Sequence, residues 1–339
     1  MLTLREAVPT SHHLGKAGMD PKVVRQSDLE APAMATQRAG RSSTWLGYQR
    51  REALVPYAFL LPSFIALAII FFYPMVYAIV ISFHSNNFGG TADFVGLQNY
   101  RDVVTSDWFP EVIKTSALWS IGNVVFVCGI SLGIALMLDR KFPGRALVRA
   151  LFFLPWAVPY VAAGIIWGWM YDYEFGVLNY LVHAAGLTAD KINFLTACPS
   201  AFYSVGALSI WKLVPFGTVM FLAGLQTIPS EYYEAAKIDG ANPIQAFRYV
   251  TFPGLRAVTV MLTLLIAIWS FGWSFTAIFL LTEGGPAGCT ETIVVRSYLE
   301  AFKFFHMGTA SAIGTIVLVL SLAFSTAYLA IVFRKGRSQ

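Results

Sequence analysis

Charge is scarce in this chain. Lys, Arg, Asp and Glu make up 13% of its 339 residues, against about 25% in a typical soluble domain. Hydrophobic residues reach 56%. That balance excludes an ordinary water-soluble globule. Cysteine is nearly absent: Cys128, Cys198 and Cys289 have no metal-ligand spacing. The five histidines form no cluster with acids. His12 and His13 lie in a polar stretch and read as solvated, so no metal site is expected. There is no Gly-x-Ser-x-Gly turn and no Walker A lysine loop, which excludes ATP hydrolysis by the usual P-loop route. Alternating apolar and polar runs are missing too, which excludes a closed membrane barrel.

What the chain does have is long apolar runs. A helix crosses a bilayer with about 20 residues at a rise of about 1.5 Å each. Six stretches qualify, at roughly 55–83, 113–138, 148–171, 201–226, 257–282 and 307–333. Each contains glycine, proline or small polar residues, as bundled membrane helices do. The expected fold class is all-α integral membrane, with six transmembrane helices.

Positive charge orients them. Arg140, Lys141, Arg145 and Arg149 fall between spans two and three, and Lys237, Arg248 and Arg256 between spans four and five. Arg334, Lys335 and Arg337 follow span six, and the first 51 residues add eight more. The opposite side carries only Arg101, Lys191, Arg296 and Lys303, with Lys114 at a membrane edge. The positive-inside rule places both termini in the cytoplasm. Topology and attraction to anionic lipid account for the net charge of +5 without nucleic acid. Residues 1–50 are polar, with no apolar run, and read as a disordered cytoplasmic tail rather than a secretory signal. Met19 and Met34 are further candidate starts. Residues 51–339 form the expected membrane domain. Cys128 reads as a small apolar filler in span two. Cys198 and Cys289 both map outside, where a disulfide is permitted; sequence leaves open whether they meet.

The loop at about 228–253 carries the strongest local pattern, EAAKIDGANPIQAFRYVTFP. Ser230 is placed to cap a helix, with Glu231 in the first turn near the positive end of the dipole. Asp239-Gly240 supplies a stop. Asn242 then caps a second helix with Pro243 at its first position, and Phe252-Pro253-Gly254 ends it. Two helices this short are not stable alone in water. On these grounds the loop is either a docking element or an amphipathic segment on the membrane surface.

The loop resembles the EAA loop of ABC importer permeases, in which E-A-A is followed by three residues, G, nine residues and I-x-L-P. Here three residues separate Ala236 from Gly240 and nine separate Gly240 from Val250, with Val250-Thr251-Phe252-Pro253 in place of the final motif. Further resemblance to the sugar-type branch runs from about residue 54 to the end. It includes Pro62 and Pro74 in span one and Phe94-Val95-Gly96-Leu97-Gln98-Asn99-Tyr100 after it. Leu154-Pro155-Trp156, Trp211-Lys212 with Pro215-Phe216, Leu222 to Gln226, and Leu281-Thr282-Glu283-Gly284-Gly285-Pro286 follow in order. The long first loop and the Gly-Gly-Pro turn are similar to the maltose-transporter first-permease type. Phe275 is followed by Thr276, where that family often has aspartate.

The resemblance implies a type I ABC importer transmembrane domain in a bacterial or archaeal cytoplasmic membrane. It implies a second permease subunit, two ATPase subunits and an external solute-binding protein as partners. ATP and Mg would bind the ATPase subunits, with no cofactor on this chain and no catalytic residue. Coupling to the ATPase is carried onto Glu234, Ala235, Ala236, Asp239, Gly240, Phe247 and Pro253, and an external turn onto Gly284, Gly285 and Pro286. The cargo is expected to be a carbohydrate, with a polyol, glycerol phosphate or other polar solute as the alternative.

A path for such a solute needs polar or aromatic groups inside the spans. Lys212 sits near the middle of span four, where a charge costs about 2.5–3.5 kcal/mol on insertion scales. It must line the path, find a polar partner or snorkel outward. Asn123 offers either a ligand contact or an interhelical hydrogen bond. Trp269, Phe271, Trp273 and Phe275 do not share one helical face, so they make no single stacking platform. Trp211, Trp269, Trp273, Phe275 and Thr276 stand as path candidates, against a packing role for each aromatic. Two other classes are disfavoured. A membrane enzyme would cluster acids or histidines at one face, and a secondary transporter would show repeats and intramembrane acids.

Overall fold

The computed structural model describes residues 56–57, 59–85, 93–272 and 274–336. The chain divides into two units, Met1–Ala66 and Leu67–Gln339. The tail expected at 1–50, with its boundary to the membrane domain, lies outside the described residues, as does Trp273.

The described residues are dominated by helices. α1 is Phe59–Ile81, with a π-helical stretch at Ala68–Phe72. A two-residue ladder follows, β1 (His84–Ser85) antiparallel to β2 (Asp93–Phe94), with His84 opposite Phe94. Then come α2 (Gln98–Thr105), α3 (Phe109–Asp139), α4 (Arg145–Ala157), α5 (Tyr160–Met170) and α6 (Val177–Ala184). α7 is Ser200–Gln226 and α8 is Ser230–Ile238. α9 is Pro243–Gly254, with a π-helical stretch at Phe247–Thr251. α10 is Arg256–Gly272, α11 Phe275–Thr282 and α12 Ile293–Tyr298, which runs on as a π-turn Leu299–Lys303. α13 is Met307–Gly336.

Four of these, α1, α3, α7 and α13, are each long and apolar enough to cross a membrane unbroken. Two bent pairs, α4 with α5 at 93° and α9 with α10 at 66°, bring the count to as many as six by length and composition if each is one span; α9 itself lies in the loop at about 228–253, and the fifth run expected at 257–282 covers α10 and α11. Span three was expected as one continuous run. Pro159 interrupts it, because proline lacks an N–H and drives the residue before it out of helical geometry. Val158 is accordingly extended, with φ −65° and ψ 129°. Span five is also divided, into α10 and α11 on either side of residues 273–274.

α3 and α7 form the most extensively packed helix pair. Glycine makes this approach possible: a Cβ at Gly217 would stand 2.4 Å from Ser131 Oγ. Ser131 Oγ donates to the Val214 carbonyl at 2.9 Å, the small-residue and hydroxyl contact that joins helices in lipid. Val127, Phe221, Leu255, Leu262 and Ile266 close the core among α3, α7 and α10. A second core joins Trp119, Ala163, Leu208, Ile278 and Val295. A third joins Val103, Val112, Ile293 and Ile313. Asn99 of α2, buried, donates to the Ser82 and His84 carbonyls at 2.8 and 3.1 Å, pinning the hairpin ladder to α2.

Candidate functional site

The loop after α7 folds as two short helices joined by a fixed corner. α8 starts one residue earlier than the capping reading placed it. Pro229 is the N-cap, and Ser230 is the first helical residue with no capping hydrogen bond from its side chain. Proline already holds the extended conformation an N-cap needs, φ −60° and ψ 137°. Glu231 lies in the first turn and Lys237 in the last, both favourable to the helix dipole.

The stop is a Schellman motif. Gly240 has φ +78°. Its N–H donates to the Lys237 carbonyl at 3.1 Å, and the Ala241 N–H donates to the Ala236 carbonyl at 2.9 Å. Asn242 then begins α9 with a full capping box. Its Oδ1 accepts from the Gln245 N–H at 2.9 Å, and Gln245 Oε1 accepts from the Asn242 N–H at 2.8 Å. The Tyr233 and Thr251 hydroxyls meet at 3.1 Å and tie α8 to α9. Leu255, fully buried, anchors the far end in the α3–α7–α10 core. At the base, a Cβ on Gly254 would lie 2.7 Å from Ile228 Cδ1, so the two strands of the loop touch.

This hairpin presents its functional candidates outward. Glu234, Ala235, Asp239, Gly240 and Pro253 are exposed, while Ala236 and Phe247 are half-buried. The Phe247 ring lies 6.3 Å from that of Phe252. Ile238 and Ile244 are 85% and 77% exposed. α8 and α9 together line a groove of ≈ 770 Å³ that includes Tyr232, Ala235, Ala236, Asp239, Gly240 and Pro253. All seven candidates therefore lie on one short element, whose tips Ile238 and Ile244 are exposed and apolar.

The turn at Gly284, Gly285 and Pro286, expected on the outside, is built separately. Gly284 has φ +92°, and a Cβ there would also press on Val295 at 3.2 Å. The Gly285 N–H donates to the Thr282 carbonyl at 2.7 Å. Thr290 Oγ1 donates to the Gly285 carbonyl at 2.8 Å and lies 2.7 Å from Thr282 Oγ1. The Gly285–Pro286 peptide is cis. The pairing that sequence left open is settled here: Cys198 and Cys289 form a disulfide, with Cα atoms 6.1 Å apart. It fastens the turn to the segment just before α7.

The path candidates do not converge on one cavity wall. Lys212 is 5% exposed, and its ammonium donates to the carbonyls of Pro155 and Trp156 at 3.0 Å each and to that of Val158. Asn123, also buried, accepts from Ser209 Oγ at 2.7 Å and donates to the Trp119 carbonyl at 2.9 Å. Trp211 packs on Trp167 at 5.6 Å and Trp269 on Phe216 at 4.9 Å. Phe275 lies 5.0 Å from Phe279 and 4.7 Å from Tyr298. Trp269, Phe271 and Phe275 enter three different cores, as their spacing requires. Thr276 is half-buried on α11.

Two features escaped the sequence reading. Arg296 pairs with Glu300 at 2.7 Å and Glu291 at 3.3 Å, and His306 Nδ1 meets Glu300 at 2.9 Å. Its guanidinium also stacks 4.2 Å from the Trp108 ring. The i,i+4 spacing of Arg296 and Glu300 was the available signal. Secondly, the Ser270 and Ser274 hydroxyls are buried without a hydrogen-bond partner among the described residues, beside the break in span five. Nothing in their spacing marked them.

Comparison with known proteins agrees with this architecture. The family described as binding-protein-dependent transport system inner membrane component matches residues 126–337. The trehalose/maltose transport system permease protein MalF of Thermococcus litoralis is 34% identical over 285 residues, covering 82% of this chain and 94% of that protein. The sn-glycerol-3-phosphate transport system permease protein UgpA of Agrobacterium fabrum is 31% identical over 271 residues, covering 80% and 92%. The fold also matches the crystal structure of a bacterial ABC transporter involved in the import of the acidic polysaccharide alginate. That match has a TM-score of 0.74 at 22% identity over 86% of this chain and 99% of the other. With its several apolar spans and the α8–α9 hairpin in the loop after α7, the chain belongs to the binding-protein-dependent transport system inner membrane components, as a multi-pass permease subunit of an ABC importer.

Proposed function

We propose that this permease imports a carbohydrate delivered by an external solute-binding protein, and that α8–α9 is the element through which a cytoplasmic ATPase drives it. The chain is a transport subunit, and ATP hydrolysis resides in separate subunits. One observation carries the coupling role. A pair of helices too short to stand alone is held rigid by a Schellman corner, a capping box and the Tyr233–Thr251 contact, yet it exposes Glu234, Ile238 and Ile244. A rigid, partly apolar knob on a polar loop is suited to a groove on a partner. Glu234 offers that partner a carboxylate for a charge-assisted hydrogen bond.

The orientation follows from charge. Arg140, Arg149, Lys237 and Arg248 share the side of α8–α9, which the positive-inside rule makes cytoplasmic. The Cys198–Cys289 disulfide, on the opposite side, fits an oxidising exterior. Both termini are then cytoplasmic, and residues 1–45 are dispensable for assembly. A second permease subunit completes the path. Trp211, Trp269, Trp273, Phe275 and Thr276 are candidate contacts along it, with Trp269 in a different core from Trp211 and Phe275. Carbohydrate suits aromatic surfaces, since ring faces stack on sugar rings and indole N–H groups donate to hydroxyls. The relative named for trehalose and maltose supports that cargo, and the relative named for glycerol phosphate keeps a polar phosphate ester as the second reading.

The test is transport by the assembled complex in proteoliposomes. Uptake of a maltose-type disaccharide driven by ATP and the loaded binding protein is expected. Uptake of sn-glycerol 3-phosphate instead would replace the cargo assignment. ATP hydrolysis that responds normally to loaded binding protein in both Glu234→Ala and Gly240→Val variants would refute the coupling role.

A further inference from the structure

Lys212 is a buried cation at the middle of a membrane span, and the break in span three explains why it is there. In an unbroken helix the Pro155 carbonyl would accept the N–H of residue 159, but residue 159 is proline and has none. The Trp156 carbonyl would accept from residue 160, but the chain has already left helical geometry at Val158. The Val158 carbonyl lies in the extended link itself. Three acceptors are thus left at the end of α4 inside an apolar span, where an unsatisfied carbonyl is costly. The lysine ammonium carries three donors, and all three of these carbonyls receive one. The end of α4 is also the negative end of its dipole, and the Tyr160 ring lies 5.0 Å from the ammonium.

The neighbours of Lys212 divide between the two half-spans. Phe216, one turn onward, stacks against Trp156 of α4 at 6.2 Å. Trp211 packs against Trp167 of α5 at 5.6 Å. α7 therefore grips both halves, with the ammonium between the grips.

We propose that Lys212 is a positioning residue that holds the bend between α4 and α5, and does not bind solute. With three protons given to three carbonyls, it has no donor left for a sugar hydroxyl. The inference rests on the chain being a permease, not on which solute it carries.

The test uses the assembled complex with spin labels at Val148 of α4 and Ile165 of α5, both exposed, in a Cys128→Ala background that keeps the disulfide. With a rise of about 1.5 Å per residue, a straight span separates these Cα atoms by about 25 Å and a right-angle bend by about 19 Å. Wild type and Lys212→Arg are expected near the shorter separation. Lys212→Met is expected to broaden toward the longer one, with transport reduced roughly tenfold and rescued by arginine. Adding Pro159→Ala to Lys212→Met restores an N–H for the Pro155 carbonyl and should narrow the distribution again, now at the longer separation. A solute-contact role predicts none of these shifts. Wild-type separation in Lys212→Met overturns the proposal, as does loss of the bend in Lys212→Arg. If Lys212→Met does not assemble, Lys212→Gln is read the same way. If no neutral variant assembles while arginine does, the need for a cation at the break is read from assembly itself.

Discussion

Gly240 isolates backbone strain at the corner between α8 and α9. Its φ is +78°, and a Cβ built there would meet nothing within 4 Å. No clash within the chain contributes, so a substitution acts through conformation alone. Placing an ordinary L-residue in the left-handed region costs about 1–2 kcal/mol, a factor of roughly 5–30 in the population of the formed corner. Asparagine tolerates that region better than alanine, and valine tolerates it worst. Losing the corner releases the Ala241–Ala236 hydrogen bond and the start of α9 together. The expected order of damage is therefore Gly240→Asn, then Ala, then Val. The assay is ATP hydrolysis in reconstituted membranes, with and without loaded binding protein, after confirming that the ATPase stays attached. Stimulation should fall in that order while the binding protein's own affinity for solute is unchanged. Equal loss in all three variants would refute the backbone argument, since it would mean that the partner tolerates no side chain there. No loss in valine would refute the coupling role of the corner itself.

Asn242→Ala removes the capping box of α9, worth about 1 kcal/mol, and should lower stimulated hydrolysis less than Gly240→Val; Asn242→Ser should recover most of the loss. Cysteine tags at Gln98 and Asn193 should react with an impermeant maleimide from outside, and tags at Ser230 and Glu234 should not; the reverse pattern would overturn the orientation. In the wild-type chain, alkylation after denaturation without reductant should add one label, at Cys128, and after reduction three, as the mass of the intact protein will report. Deletion of residues 1–45 should leave complex assembly and transport nearly unchanged, and loss of the complex would assign the tail a docking role.

Much of the α8–α9 hairpin was legible because its signals are local. Gly240, Asn242 and Pro243 each impose a backbone geometry on their own, and the structure places each in the expected role. The start of α8 lies one residue before the place expected from Ser230, because Pro229 already holds the extended conformation an N-cap needs. The number and order of apolar spans followed from hydropathy, whereas the bend in span three did not. Pro159 was visible, but whether a proline kinks a span or breaks it depends on what satisfies the freed carbonyls. Here the donor comes from Lys212, 53 residues away in sequence. Long-range pairs of this kind leave no periodicity to read. The same holds for Cys198–Cys289, which are 91 residues apart, and for Asn123 with Ser209.

A transporter that alternates between two states must move rigid parts about defined seams. α7 limits where those seams can lie. At 27 residues it is about 40 Å long, and it is bonded to α3 at two levels, through Ser209 to Asn123 and through Val214 to Ser131. Sliding α3 along α7 would break both bonds in apolar surroundings and drive a Ser131 side chain against the Gly217 backbone. The α3–α7 pair is therefore the part least able to shear. α8–α9 is joined to the bundle at two places, through Pro229 at the end of α7 and through Leu255 at the start of α10. The second entry stands at a 66° bend, and the two nearest remaining interruptions are the Val158–Pro159 link and the break at residues 273–274. The helices on both sides of the last two of these pack on α7. Rotation about the breaks, with α3 and α7 as a fixed frame, costs no interhelical hydrogen bond between that pair. Shear between them costs two.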